Sequence, residues 1–142
     1  MTGFVSRRQF TIEWGWCDPA GIVFNSRFFE LFDTGTWLLF EAALGVKRAE
    51  LFSHYGVMGI PLVDAKARFL IPVAFGVTVD LRSHAAEFRR SSFDIRHQLF
   101  IDGETAVEGM ETRVWATRAP GDPSKIKSHP IPSEVIDRFR GA

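Results

Sequence analysis

The chain alternates and cycles in separable stretches. Arg8, Phe10, Ile12 and Trp14 interleave with Gln9, Thr11 and Glu13, the period-two pattern of a first strand. From Asn25 or Ser26, both good caps, to Leu44 the period lengthens to that of a helix, and Gly45 ends it. At about 100° per residue, Arg27, Glu30, Asp33, Trp37 and Glu41 fall on one narrow stripe. Apolar residues from Phe28 to Leu44 fill most of the remaining circumference. An ordinary surface helix has a narrower apolar face, so the pattern predicts a helix enclosed by something curved. Lys47 to Tyr55 reads as a short second helix ended by Gly56.

Four further strands are predicted. Val63, Ala65, Ala67, Phe69 and Ile71 share one face opposite Asp64, Lys66 and Arg68. Val77 to about Phe88 alternates next, Arg89-Arg90-Ser91 turns the chain, and Phe93, Ile95, Leu99 and Ile101 alternate with Asp94, Arg96 and Gln98. Asp102-Gly103 is a strong hairpin signal, and the return strand is expected from Glu104 to about Arg118. A turn-rich stretch, Ala119 to Pro132, precedes a terminal helix capped by Ser133. The order is strand, long helix, then a meander of four antiparallel strands. This is an α+β class in which a curved sheet wraps one helix. Unpaired sheet edges are hazardous, and pairing between two copies protects them, so a homodimer is expected.

Composition narrows the possibilities. With 142 residues, 46% of them hydrophobic, the chain is expected to be a single domain (1–142) with its own core. Seventeen basic and seventeen acidic residues balance, so nothing recommends nucleic acid as a partner. No run approaches the roughly 18 apolar residues of a membrane span, and Met1 to Phe10 has no apolar signal core. The single Cys17 excludes an internal disulfide and fits a reducing compartment. The cytoplasm is the expected location.

Candidate chemistry centres on Cys17-Asp18-Pro19-Ala20-Gly21-Ile22-Val23, the turn between first strand and long helix. Asp-Pro-x-Gly is ordinary turn chemistry on its own. It also places a carboxylate beside the free amides and the positive dipole end of a helix start. Adjacent Cys17 is the rival nucleophile; in an extended segment it points away from Asp18 and reads as a small core residue. His97 lies in register with Phe93, Ile95 and Leu99, the position of a hydrogen-bonded core histidine. His54, His84 and His129 have no metal-ligand spacing with the carboxylates or Cys17, and no metal is expected.

This turn closely resembles that of the 4-hydroxybenzoyl-CoA thioesterases and related acyl-CoA thioesterases of the hotdog fold. The resemblance continues through Gly59-Ile60-Pro61-Leu62-Val63, Glu87-Phe88-Arg89-Arg90-Ser91-Ser92-Phe93 and Arg96-His97, from about Phe10 to about Trp115. It implies a long helix held in a curved antiparallel sheet, with two subunits joined edge to edge and commonly paired into a homotetramer. It implies active sites at the dimer interface, and hydrolysis of an aryl- or short acyl-CoA thioester with no cofactor beyond the coenzyme A of the substrate. Asp18 takes the position of the catalytic carboxylate, and the Asn25 amide that of the group binding the thioester carbonyl. Ile60, Pro61 and Leu62 take positions near the acyl or aryl pocket. Arg89, Arg90 and Lys127 take those of the basic residues meeting the coenzyme A phosphates.

The chain departs from that pattern in three places. The helix-start tyrosine is Asn25, the threonine of a Gly-Thr-Pro turn is Ile60, and the lysine after the arginine pair is Ser91. The first two predict weak discrimination for a 4-hydroxyl group on the substrate. Other readings are a hydratase or dehydratase on the same fold, which usually pairs an Asp with a His, and a non-catalytic acyl-CoA-binding module. A steroid-isomerase-like cone is the alternative fold.

Overall fold

The structure, a computed structural model, describes residues 3–141. Five strands form one antiparallel sheet: β1 (Val5–Thr11), β2 (Leu62–Phe69), β3 (Thr78–Phe88), β4 (Ser92–Ile101) and β5 (Glu104–Val114). Their spatial order is β1-β3-β4-β5-β2. Helix α1 (Asn25–Leu44) packs on the inner face, and a short 3-10 turn at Arg48–Glu50 leads into α2 (Leu51–Tyr55). A separate hairpin, β6 (Ala116–Ala119) with β7 (Asp122–Ser128), precedes α3 (Ser133–Phe139).

The expected wrap of an antiparallel sheet around the long helix is observed, with corrections. The meander has three strands, β3-β4-β5, because β2 pairs with the far side of β5 (Ala65 opposite Glu111) instead of standing beside β3. The return strand stops at Val114; Trp115 is buried and donates its N–H to the Ser91 carbonyl (2.7 Å), after which the chain pairs with β7. Strand β7 therefore runs through the stretch expected to be a loop. The first strand ends at Thr11, and Trp14–Trp16 coil into a 3-10 turn. Asp102 and Gly103 form the expected two-residue hairpin, both at positive φ (49° and 81°), the geometry that matches strand twist.

Helix α1 buries Phe28, Leu31, Phe32, Gly35, Thr36, Leu39, Phe40, Ala43 and Leu44, a stripe repeating every three to four residues. That face is narrower than expected, since a single sheet layer covers one side, and Phe29 remains 37% exposed. Neither Asn25 nor Ser26 caps the helix. Phe24 takes the cap position in extended geometry with no side-chain bond, held by its N–H to the Trp16 carbonyl (2.9 Å). Ser133 likewise opens α3 behind Pro132 instead of capping it.

Two apolar clusters form the core. One lies beneath the C-terminal half of α1, with Leu39, Phe40 and Leu44 against Phe93, Ile95, Trp115 and Phe139. The other lies beneath its N-terminal half, with Phe28, Leu31 and Phe32 against Ile12, Val79, Leu81 and Leu99. Between them, in the order of residues along each element, runs a band of buried polar groups: Thr36, Ser83, His97, Glu111 and Arg113.

Candidate active site

The turn before α1 is built by its own backbone. The Gly21 N–H donates to the Asp18 carbonyl (2.9 Å), the Asp18 N–H to the Ile22 carbonyl (2.9 Å), and the Ala20 N–H to Asp18 Oδ1 (2.8 Å). Gly21 sits at φ 82°, where a side chain would be strained. Bonds to the β2–β3 connection fix the turn in space: Phe75 N–H to the Gly21 carbonyl (3.0 Å) and Val23 N–H to the Val73 carbonyl (2.8 Å). The Asp18 carboxylate is thereby presented at the surface, while Cys17 is partly buried against the N-terminal apolar cluster.

Asp18 and Asn25 line the same cleft, of about 480 Å³. The remaining lining residues, Ile22, Val23, Phe24, Phe28, Phe69, Leu70, Ile71, Pro72 and Val73, carry hydrocarbon side chains. Asn25 opens α1, so its N–H has no intrahelical acceptor and stands at the positive end of the helix dipole. A carboxylate and a helix-start amide at one apolar cleft can attack a carbonyl and stabilise the resulting oxyanion.

The other expected site residues lie elsewhere. Ile60 is 3% exposed in the C-terminal core cluster, and its carbonyl accepts from Arg113 Nη1 (3.1 Å). The Pro61 carbonyl accepts from Val114 N–H (3.1 Å), and the exposed Leu62 begins β2. Within this chain none of the three lines the Asp18 cleft, and Ile60 packs into the C-terminal core cluster.

Arg89 is engaged by its own hairpin. It forks onto Asp94 (2.6 and 3.2 Å), donates to Ser92 Oγ (2.8 Å) and pairs with Glu87 (3.2 Å). The Arg89 hydrogen bond, ahead of that from Thr112, holds the Asp94 carboxyl below its ordinary pKa. Arg90 and Lys127 are exposed. The 11 residues of β3 separate the arginine turn from the Asp18 turn, roughly 35 Å at ~3.3 Å per residue. One chain does not bring the two together.

Sequence reasoning missed the aromatic walls Phe28 and Phe69 and most of the buried polar band. Ser83 Oγ lies 2.7 Å from His97 Nδ1, and His97 Nε2 lies 3.2 Å from Glu111 Oε1. The residue types are those of a hydrolytic triad, but the serine meets Nδ1 and the acid Nε2, the reverse of a triad's wiring, and at 2%, 0% and 3% exposure no substrate reaches them. Burial alone would raise the Glu111 pKa; hydrogen bonds from His97, Arg113 and Thr36 outweigh it and hold the carboxyl at about 2. Arg113 Nη2 bridges Glu111 Oε2 (2.9 Å) and Asp33 Oδ1 (2.7 Å). A visible signal existed: Glu111 and Arg113 sit on the inward beat of β5, in phase with Val107 and Gly109.

Residues 12–139 match the family model of the thioesterase-like superfamily. The chain is 27% identical to a 4-hydroxybenzoyl-CoA thioesterase of Pseudomonas sp. (strain CBS-3) over 91% of its own length and 93% of that protein's. The solved structure of the 4-hydroxybenzoyl-CoA thioesterase from that strain superposes with a TM-score of 0.83 at 24% identity, covering 94% of this chain and 98% of the other. A gentisyl-coenzyme A thioesterase superposes at 0.79 with 28% identity, covering 94% and 99%. The sheet and helix have the hotdog arrangement of these neighbours. By a family match that runs from the end of the first strand to the last helix, this chain belongs to the thioesterase-like superfamily.

Proposed function

We propose that the protein hydrolyses an aryl- or short acyl-CoA thioester, of the 4-hydroxybenzoyl-CoA kind, to the carboxylate and free coenzyme A. The observation that carries this reading is that Asp18 and Asn25, the first residue of α1, line one apolar cleft. The carboxylate attacks the thioester carbonyl to form an acyl-enzyme anhydride and expel the thiolate, after which water cleaves the anhydride. Alternatively, it takes a proton from the attacking water. In both routes the carbonyl oxygen gains charge against the Asn25 N–H and the helix dipole. Thiolate is a good leaving group, so the reaction calls for no cofactor and no dedicated strong acid.

The distance between Asp18 and Arg89–Arg90 favours a homodimer in which one subunit supplies the carboxylate and its partner the phosphate contacts. Arg90, exposed and without a side-chain ion pair among the described residues, is the better placed cation, with Lys127 beside it in role. Two such dimers pairing into a tetramer is the larger assembly we propose. No described helix is long and apolar enough to cross a membrane, and the cytoplasm is the compartment this reading selects.

A panel of coenzyme A thioesters assayed with a thiol reagent tests the reading. Asp18→Asn keeps the shape and loses the charge, and kcat is expected to fall about 10²-fold or more with the fold intact. Folded Asp18→Asn protein turning over at the wild-type rate would overturn the assignment. Cys17→Ala is expected to do much less.

A further inference from the structure

The buried polar band has a geometry that hydrolysis at Asp18 does not explain. Apolar packing on either side of it fixes how deep α1 sits but resists sliding only weakly, because hydrophobic contact is non-directional. Close packing at this point sets how near the helix comes to the sheet, through glycines that present no side chain to interlock along the helix axis. A Cβ at Gly35 would lie 3.0 Å from Ser83 Oγ and 3.1 Å from Leu81 Cδ2, so the helix comes in close by presenting no side chain. One turn earlier, the Phe32 ring lies flat on His97, 4.8 Å between centroids and 6° between planes, over a Gly109 whose Cβ would overlap that ring. A flat stack slides easily in its own plane. What fixes axial position here is directional. Thr36 Oγ1 donates to Glu111 Oε1 and lies 3.1 Å from His97 Nε2, while Arg113 joins Glu111 to Asp33 on the helix.

We propose that Glu111, through Thr36 and Arg113, is a positioning residue that sets the axial register of α1 on the sheet and thereby places the Asn25 amide over the Asp18 cleft. The inference rests on the thioesterase reading for its kinetic consequence, though not for its structural one. An α-helix is stiff, so an axial shift at Thr36 is carried to Asn25, eleven residues and about 16 Å away at ~1.5 Å per residue. Oxyanion stabilisation depends on sub-ångström placement, and a 1 Å misplacement costs up to ~10²-fold in rate. Buried ionic groups are also better attested as setters of register than as sources of net stability.

The decisive variant is Thr36→Val, which keeps the β-branched shape and deletes the hydroxyl. Well below its melting temperature it is expected to lower kcat about tenfold with KM within about twofold, and Thr36→Ser is expected to restore kcat. Glu111→Gln should show the same split more strongly; if it fails to fold, the Thr36 pair still decides. A second readout needs no activity: the ¹H–¹⁵N resonance of Asn25 should move in Thr36→Val and return in Thr36→Ser. A wild type that releases no thiol from any thioester defeats the proposed function while leaving this resonance test in force. If Thr36→Val melts earlier but keeps wild-type kcat and an unmoved Asn25 resonance, the band is structural only and the proposal is overturned.

Discussion

Asp18 owes its place to its neighbours: a left-handed glycine three residues on, and two backbone bonds to the β2–β3 connection, hold a carboxylate at the surface of an otherwise apolar cleft. Asn25 contributes differently, since the group of interest there is its backbone N–H. That distinction is testable because Asn25 is the first helical residue, where proline is well tolerated and the missing N–H breaks no intrahelical bond. Phe24 before it is already extended (φ −66°, ψ 132°), the geometry a following proline requires. Asn25→Pro is therefore expected to fold and to lose about 10²–10³ in kcat, the usual cost of one oxyanion donor, while Asn25→Ala stays within a few-fold. Circular dichroism checks the fold and thiol release checks the rate; equal activity in the two variants would remove the amide from the mechanism. Ile60, one of the two positions expected to weaken the reading of a substrate hydroxyl, is 3% exposed and does not line the Asp18 cleft of its own chain. That expectation now rests on the hydrocarbon lining contributed by Phe28, Phe69 and Ile71.

Elements meet most tightly where Phe32 of α1 crosses Gly109 of β5, and this contact has a sharp requirement. A methyl group at Gly109 would overlap the ring, with the helix above and the His97 stack beside it leaving little room to yield. Gly109→Ala is expected to destabilise by about 1–3 kcal/mol, the usual cost of overpacking, and Phe32→Leu in the same chain should recover part of it. Urea midpoints at constant m check both; additive losses would show that the two positions do not compete for space. These elements were legible in the sequence to different degrees. Helix α1, its Gly45 stop and the β4–β5 hairpin at Asp102-Gly103 were readable because periodicity and turn chemistry are local. The pairing of β2 with β5 was not, since strand order depends on contacts forty residues apart in sequence, with no local signature. Strand β7 lay hidden in Asp122-Pro123-Ser124, a composition that reads as loop. In the site, Asp18 and Asn25 were placed by the turn itself, whereas the inward course of Ile60 and the engagement of Arg89 by Asp94 depend on tertiary partners.

Across the whole molecule, equal numbers of acids and bases leave no net charge to drive acid unfolding at neutrality, so the response to pH is governed by individual carboxyls with lowered pKa values. Glu111 is the most deeply placed of them, brought from 4.5 to about 2 by its hydrogen bonds against the opposing effect of burial. A carboxyl depressed in the folded state stabilises fully above its unfolded pKa, and that contribution disappears as pH falls through the folded value. For Glu111 the window is about pH 4.5 down to 2, and the shift corresponds to about 3 kcal/mol at ~1.36 kcal/mol per unit. Asp94, held low chiefly by the Arg89 hydrogen bond, and Asp80, where Arg7 and Arg82 prevail over burial, act in the same direction from more open positions. Their ion pairs are half in solvent and contribute less. Burial, with the charges of Arg96 and His97, lowers the His84 pKa, so some stability is lost as pH falls through the ordinary histidine value of 6.5. Urea unfolding should therefore show a shallow fall from pH 7 to about 5 and a steep decline below it. Glu111→Gln has no proton to gain in this window. Its stability should start lower at pH 7 and fall more shallowly, so that the two curves converge towards pH 2. Parallel curves would transfer the acid sensitivity to Asp80 and Asp94 and leave Glu111 as a polar contact indifferent to its charge.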